Sequence, residues 1–260
     1  MAAESAPKDD RSDSVSGKRP SARGGKTVYG ARLGILSLET RFPRVPGDMG
    51  NAGTWPFPVL YAVVPGASPR RVVRERARGL LEPFLEAART LVRAGADGIT
   101  TSCGFLSLFQ AELAAACAVP VAASSLMQVP FVERLLPPGR RAGVLTVSGT
   151  HLRHEHLVAA GVAPDTPVVG TESGRELSRV LLGDLPELDV EAAEADVLDA
   201  AASLCLRHPE VGAIVLECTN MMPYSAAVRT HTGLPVYDMY SFATWFHYGL
   251  EPRRFPRDPA

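Results

Sequence analysis

Residues 98–106 read Gly-Ile-Thr-Thr-Ser-Cys-Gly-Phe-Leu, and residues 213–221 repeat the same design as Ala-Ile-Val-Leu-Glu-Cys-Thr-Asn-Met. In both stretches an apolar, β-branched run typical of a buried strand ends at a single cysteine. Cys103 precedes Pro120 by 17 residues, and Cys218 precedes Pro235 by the same 17. We therefore predict two similar halves, each presenting one cysteine where a strand ends.

A second pair of stretches supports the duplication. Residues 141–147, Arg-Ala-Gly-Val-Leu-Thr-Val, match residues 32–38, Arg-Leu-Gly-Ile-Leu-Ser-Leu, in type and order. Around them, strand-like runs alternate with helix-like segments of ten or more residues, which is typical of βαβ units. The predicted fold is α/β, with two similar lobes related by a pseudo-twofold axis and a cleft between them. Each lobe is a mostly parallel sheet flanked by helices.

The organisation along the chain follows from composition and from this repeat. Residues 1–27 are rich in Ser, Asp, Lys, Arg, Gly and Pro, which predicts a disordered tail. We place the first lobe at residues 28–138 and the second lobe at residues 139–240. The remaining segment, residues 241–260, is expected to pack back on the first lobe.

Charge and hydropathy narrow the class of protein. A net charge of −1 gives no electrostatic reason to expect nucleic acid or an anionic membrane as a partner. No apolar run approaches the roughly 20 residues of a membrane span, and the polar N-terminus lacks the apolar segment of a signal peptide. We therefore expect a cytoplasmic protein that binds neither nucleic acid nor membranes, and the sequence leaves a homo-oligomer open.

Neither a metal nor a nucleotide cofactor is predicted. The four cysteines include no CxxC pair, and Cys117 and Cys205 occupy apolar positions within helix-like segments, as core cysteines do. No glycine-rich phosphate-binding loop follows the first strand, since Gly34 stands alone. Three histidines follow the strand at 141–147 at spacings that do not place them all on one helix face: His151, His154 and His156.

Two cysteines at equivalent strand ends suit proton transfer. In open α/β sheets ligands bind at the carboxyl ends of strands, so the two thiols would flank a ligand from opposite sides. The ordinary pKa of a thiol is about 8.5, and a helix N-terminus lowers it toward neutrality. One thiol could then act as a base while the other remains an acid. Backbone amides at the strand-to-helix junctions would then hold a substrate carboxylate, and we assign them to Gly104, Phe105, Thr219 and Asn220.

The two cysteine motifs, in two similar α/β halves, resemble those of the aspartate/glutamate/hydantoin racemase superfamily. The resemblance covers most of residues 28–245 and implies cofactor-independent proton transfer by a cysteine pair at a two-domain interface. It gives Cys103 and Cys218 the acid/base positions, matches Thr219 to the threonine after the second cysteine, and puts Ser124 and Ser125 near the substrate carboxylate. The superfamily also contains maleate cis-trans isomerases and arylmalonate decarboxylases.

Several residues near the cysteines differ from those of the amino-acid racemases. Those enzymes usually carry Asn-Thr after the first cysteine and Thr-His after the second, where this chain has Gly-Phe and Thr-Asn. Asp48 and Asn51, in the loop after the first strand, are candidates for orienting the substrate. Phe105 with Trp55 and Phe57 would make the pocket larger or more apolar. By strand alternation Glu217 is expected to point away from the cleft and to pair with an arginine of the other half.

Three functional hypotheses remain from the sequence. The leading one is a cofactor-independent racemase or epimerase of a small carboxylate or amino-acid-like substrate, with the two cysteines as alternating base and acid. The enzymatic alternative is a maleate-isomerase-like or arylmalonate-decarboxylase-like reaction in the same cleft. The non-enzymatic alternative is a module that only binds a small acid.

Overall fold

The computed structural model describes residues 24–255, which form two four-stranded parallel sheets flanked by helices. The first sheet has the order β2-β1-β3-β4, and the second has the matching order β6-β5-β7-β8. The strands of the first sheet are β1 (Leu33–Leu38), β2 (Val59–Val64), β3 (Gly98–Thr101) and β4 (Val121–Ala122). Those of the second are β5 (Arg141–Thr146), β6 (Val168–Gly170), β7 (Val211–Leu216) and β8 (Val236–Tyr237). The predicted two-lobed α/β fold is confirmed.

Eight α-helices lie among residues 24–255. Side chains cap the N-termini of the long helix α6 (Val190–Arg207) and of the C-terminal helix α8 (Met239–Leu250). The carboxylate of Asp189 accepts from the Ala192 amide, and that of Asp238 accepts from the Ser241 amide. The helices are α1 (Leu81–Ala94), α2 (Gln110–Ala116), α3 (Val129–Leu135), α4 (His154–Ala159), α5 (Leu177–Gly183), α6 (Val190–Arg207), α7 (Ser225–Thr232) and α8 (Met239–Leu250). No helix of this described range is long and apolar enough to cross a membrane.

The glycines of the repeated β1 and β5 motifs allow a helix to lie close to each sheet. A Cβ at Gly34 would be 3.1 Å from Leu91 Cδ1 of α1, and one at Gly143 would be 2.8 Å from Leu204 Cδ2 of α6. Contacts this short would push the helix away from the strand. The same small residue at the same strand position therefore sets the same helix-on-sheet packing in both halves.

Buried hydrogen bonds join the two halves. In each of three pairs, a hydroxyl of one half donates to a backbone carbonyl of the other. The pairs are Ser107 to His156 at 3.0 Å, Ser125 to Leu216 at 2.6 Å, and Thr219 to Ser102 at 2.7 Å. A continuous cluster of buried apolar side chains from both sheets surrounds these bonds. The carboxyl ends of β3 and β7 are thereby held against each other.

Helix α8 lies on the first sheet. Its Met239 and Phe242 share a buried cluster with Leu33 and Ile35 of β1, while Phe246 approaches the Cβ position of Gly98 to 2.9 Å.

At the other end of the described range, the ammonium of Lys26 pairs with Asp97. The rest of the predicted tail, residues 1–23, lies outside the described residues. Divisions after residues 27, 138 and 240 stay predictions.

Candidate active site

A small cavity lies at the carboxyl ends of β3 and β7, where the two halves meet. Its apolar wall comes from both halves: Leu38, Phe42, Val73, Phe105, Val147, Leu181 and Leu182. Its polar and reactive side chains are Arg44, Ser102, Cys103, Glu217, Cys218, Thr219 and Asn220. A cavity of this kind suits a small ligand, because an apolar enclosure with a few convergent polar groups both desolvates and orients it.

Cys103 and Cys218 occupy equivalent places in this cavity. Cys103 follows β3 by two residues, and Cys218 follows β7 by two residues. Each precedes a short 3-10 helix, Gly104–Phe109 in the first half and Thr219–Tyr224 in the second, and α2 or α7 continues from there. The repeat therefore brings the two predicted cysteines into one site.

The expected lowering of a thiol pKa is wrong for the ligand-free protein. Burial, and then the charge of Glu217, raise the pKa of Cys103 to about 12. The same two causes raise the pKa of Cys218 well above its ordinary value. The amides of Phe105 and Asn220 do donate to the sulfur atoms and lower each pKa, but removal from water outweighs them. Burial therefore keeps both thiols protonated at neutral pH.

The residues that follow the cysteines line the cavity but have distinct roles. The Thr219 hydroxyl donates a hydrogen bond to the carbonyl of Ser102. The ring of Phe105 packs edge-on against the buried ring of His156, with centroids 5.1 Å apart. Burial lowers the pKa of His156, so this imidazole stays neutral. Asn220 accepts from the Cys218 thiol at a sulfur-to-oxygen distance of 3.6 Å. Of these side chains, Asn220 is the one that bonds directly to a reactive thiol.

Asp48 supports the site from behind. It is only 2% exposed and does not line the cavity. One of its carboxylate oxygens accepts from Arg44 Nη1 at 3.0 Å, and the other accepts from Asn220 Nδ2 at 2.6 Å. A continuous path of hydrogen bonds thus runs from Cys218 through Asn220 and Asp48 to Arg44. Through this path Asp48 holds the side chains of Asn220 and Arg44 in place.

Ser124, Ser125 and Asn51 do not line the cavity, and their contact with substrate stays a prediction. The Ser124 hydroxyl accepts from the Leu126 amide, while Ser125 donates across the interface to the carbonyls of Leu216 and Glu217. Asn51 folds its loop by donating to the carbonyl of Arg44 and accepting from the amide of Gly53. Each of these side chains has a structural partner.

Trp55 and Phe57 also lie outside the cavity. Trp55 stacks on Tyr240 of α8, and Phe57 stacks on His247 of the same helix. The three histidines His151, His154 and His156 do not line the cavity either. His151 bonds to Ser148, and His156 accepts from the backbone amide of Arg153. Within residues 24–255, no group of three His, Cys, Asp or Glu side chains has metal-binding geometry.

Two polar residues of the cavity, Glu217 and Arg44, were not assigned to the site from the sequence. The expectation that Glu217 points away and pairs with an arginine is wrong, because strand β7 ends at Leu216 and alternation no longer fixes the next side chain. Its carboxyl group instead lies against Gly104, where there is no Cβ to displace it. Thr146 donates to Oε2 at 2.6 Å, and burial raises the Glu217 pKa to about 7. An acidic residue directly before the site cysteine was the available signal.

Arg44 is the cation of the cavity wall. Its guanidinium lies over the ring of Phe42 at 4.4 Å and donates hydrogen bonds to Asp48 and Thr40. Its charge partly opposes the rise in the pKa of Cys103. A guanidinium held in this way presents fixed donors to an anion. The site therefore combines two thiols, one cation and one buried carboxyl group around a small apolar space.

Comparison with known proteins places this arrangement in a family. The Asp/Glu/hydantoin racemase family model matches residues 81–246. A dimethylsulfoniopropionate lyase of Durusdinium sp. clade D is 30% identical over 85% of this chain and 75% of that protein. Dimethylsulfoniopropionate lyase 3 of Emiliania huxleyi is 31% identical over 79% of this chain, which spans 56% of that longer protein.

Solved structures share the fold. A glycine-to-cysteine mutant of arylmalonate decarboxylase has a TM-score of 0.58 at 16% identity and covers 87% of this chain and 97% of its own. A glutamate racemase isoform from Bacillus anthracis has a TM-score of 0.55 at 14% identity, with coverages of 84% and 82%. At such identity the likeness establishes the fold alone. Since the family model matches residues 81–246, well over half of the chain, and spans both cysteine motifs, the chain belongs to the Asp/Glu/hydantoin racemase family.

Proposed function

We propose that the chain removes a proton from the carbon next to a carboxylate, and that loss of a leaving group from the following carbon completes the reaction. The observation that carries the proposal is the placement of Cys103, Cys218 and Arg44 around one small cavity. Dimethylsulfoniopropionate is the first substrate to test, because the relatives in Durusdinium and Emiliania huxleyi are named as lyases of that compound. The chain would then be a lyase.

The proposed step balances without a cofactor. A cysteine thiolate takes the proton on the carbon next to the carboxylate. The electron pair of that C–H bond forms the new C=C bond, and the pair of the C–S bond leaves with sulfur. Dimethyl sulfide and acrylate result, and the cysteine later returns its proton to solvent. The base of the reaction is a side chain of this chain, as general base catalysis requires.

Each polar group of the site has a place in this scheme. Arg44 binds the substrate carboxylate and stabilises the negative charge that develops there when the proton leaves. Asp48 positions Arg44, and Asn220 positions Cys218, through the bonds described above. Because burial and the charge of Glu217 keep both thiols protonated, substrate binding must supply the interaction that favours a thiolate.

Racemisation or epimerisation is the second candidate, and the symmetry of the site favours it. Elimination uses one base, whereas a racemase needs a base on one side of the carbon and an acid on the other. Cys103 and Cys218 at equivalent strand ends provide that pair. Substrates without a leaving group on the second carbon, such as amino acids and hydantoins, test this candidate.

The test measures dimethyl sulfide by headspace gas chromatography with dimethylsulfoniopropionate as substrate. We expect release by the wild-type chain, loss in Cys103→Ser and Cys218→Ser, and retention in Cys117→Ser, whose cysteine lies outside the cavity. In parallel, solvent deuterium incorporation is followed by mass spectrometry in amino acids, hydantoins and dicarboxylates. Exchange without elimination that depends on both cysteines would indicate a racemase. Binding of these acids with neither reaction would leave the chain a binding module and overturn the proposal.

A further inference from the structure

The carboxyl group of Glu217 has one oxygen without a partner. Thr146 donates to Oε2, whereas Oε1 has no hydrogen bond to any residue of the described range. The residue is 0% exposed, so no bulk water satisfies that oxygen. A buried acceptor without a partner is costly, and in a native site it indicates that something else completes it.

The missing partner would be on the cavity side. Glu217 lines the cavity, and the absence of a Cβ at Gly104 leaves its carboxyl group room there. Arg44, which lines the same space, already pairs with Asp48 and forms no ion pair with Glu217. A ligand in the cavity is therefore the group that can come next to this carboxyl group.

The charge of the site defines the chemistry of that ligand. The charge of Glu217 raises the pKa of both cysteines, so an ionised Glu217 opposes the thiolate that catalysis requires. Two negative charges in one buried space are unfavourable unless a cation is placed between them. A cationic ligand would favour an ionised Glu217 and a thiolate together.

We propose that Glu217 forms a subsite for the positively charged group of the substrate, a sulfonium or quaternary ammonium carried on the second carbon from the carboxylate. The inference rests on the proposed function and adds how a small zwitterion would lie in the cavity, with its carboxylate at Arg44 and its onium group at Glu217. Leu38, Phe105 and Val147 offer the methyl groups of such a cation an apolar wall. The onium charge also faces the thiols, which favours the thiolate once substrate is bound.

Affinity for the cation follows the ionisation of Glu217. The titratable or charged groups that face Glu217 are Cys103, Cys218 and the cavity cation Arg44, and Thr146 supplies its hydrogen bond. Since the thiols stay protonated well above neutrality, Glu217 is the group that titrates near pH 7. Affinity for an onium ligand should therefore rise as pH rises through about 7, and binding below that pH should release a proton.

The experiment compares two ligands of nearly identical shape by isothermal titration calorimetry. One is trimethylammonio-propanoate, and the other is its carbon isostere, in which a tert-butyl group replaces the trimethylammonium group. At pH 8 the wild-type chain should bind the cationic ligand about tenfold or more tightly than the isostere. Glu217→Gln should bind the two with similar affinity, because the amide has the same shape without the charge.

Two further variants separate the subsite from a structural role. Glu172→Gln removes a carboxylate that bonds to Gly149 and Thr150 outside the cavity, and it should keep the wild-type preference. Thr146→Val removes the hydrogen bond that lowers the Glu217 pKa, so the pH at which the preference appears should rise. Equal affinities in the wild-type chain, no binding of the cation, or a preference that survives in Glu217→Gln would overturn the inference. Because the readout is binding, it is independent of whether dimethylsulfoniopropionate is turned over.

Discussion

Glu217 occupies the space that a side chain at Gly104 would need. A Cβ at position 104 would lie 2.5 Å from the Glu217 carbonyl oxygen and closer still to Oε1. These residues come from different halves of the chain, one after Cys103 and the other before Cys218. The glycine after the first cysteine is therefore required by a carboxyl group that precedes the second.

Replacing Gly104 by alanine tests this fit. Because both the backbone and the carboxyl group of Glu217 stand in the way, we expect Gly104→Ala to destabilise the fold by about 1–3 kcal/mol. Activity should fall as well, since Glu217 has to move out of its place between the cysteines. Urea denaturation and turnover measure the two effects. Gly249→Ala is the matched control: a Cβ there meets no atom within 4 Å, and stability should be unchanged or slightly higher. Similar unfolding curves for the two variants would contradict the prediction.

The pH dependence of stability should report the buried Glu217 carboxyl. Its pKa is about 7 in the folded chain and near the ordinary 4.5 when unfolded, so the folded state binds this proton more tightly. The resulting stabilisation is complete below pH 4.5 and is lost as pH rises through 7. Relative to Glu217→Gln, the wild-type chain should lose about 3 kcal/mol of unfolding free energy over that range. Unfolding free energies at pH 5 and pH 8 check it, and parallel changes in the two proteins would sink the idea.

Thiol alkylation tests the protonation of the two cavity cysteines. At neutral pH we expect iodoacetamide to label Cys103 and Cys218 at least about tenfold more slowly than Cys117 and Cys205 in the ligand-free chain. All four pKa values are raised by burial, but that of Cys103 reaches about 12 and that of Cys218 is also strongly raised. Peptide mass spectrometry resolves the four rates. In Glu217→Gln, labelling of Cys103 should accelerate, because a negative charge has been removed. Fastest labelling at Cys103 in the wild-type chain would show a thiolate that these contacts do not explain.

Asp48→Asn should weaken catalysis without touching a reacting atom. The variant loses the ion pair that holds Arg44. It also disturbs the hydrogen bond from Asn220 to residue 48, which orients the Asn220 side chain toward Cys218. Misplacing two groups of the site should lower kcat/KM by up to about 100-fold. Asp165→Asn, which breaks the exposed pair with Arg141, is the control and should keep full activity. Equal activity of both variants would remove Asp48 from the site.

Local pattern and spacing were sufficient to predict the framework. The matching stretches at residues 32–38 and 141–147 contain β1 and β5, because the signals for a buried strand lie within the segments themselves. The equal spacing from each cysteine to its following proline predicted two equivalent strand ends, and Cys103 and Cys218 do share one cavity.

What the sequence left out depends on contacts between distant residues. Ser125 was expected at the substrate, but the carbonyl that accepts from it is 91 positions away, at Leu216. Glu217 was expected to face outward, yet its carboxyl group meets Gly104 and Thr146. The thiol pKa values depend on how completely the assembled halves remove water, which no single stretch encodes.

Three of the hydrogen bonds that cross between the halves also bear on the history of the fold. Neither half alone contains both thiols or encloses the cavity, and Ser107, Ser125 and Thr219 each have their carbonyl partner in the opposite half. An ancestor with a single lobe would have needed a second molecule of itself to form such a cavity. Once both copies lay on one chain, each was free to diverge, so that a glycine stands after one cysteine and a threonine after the other.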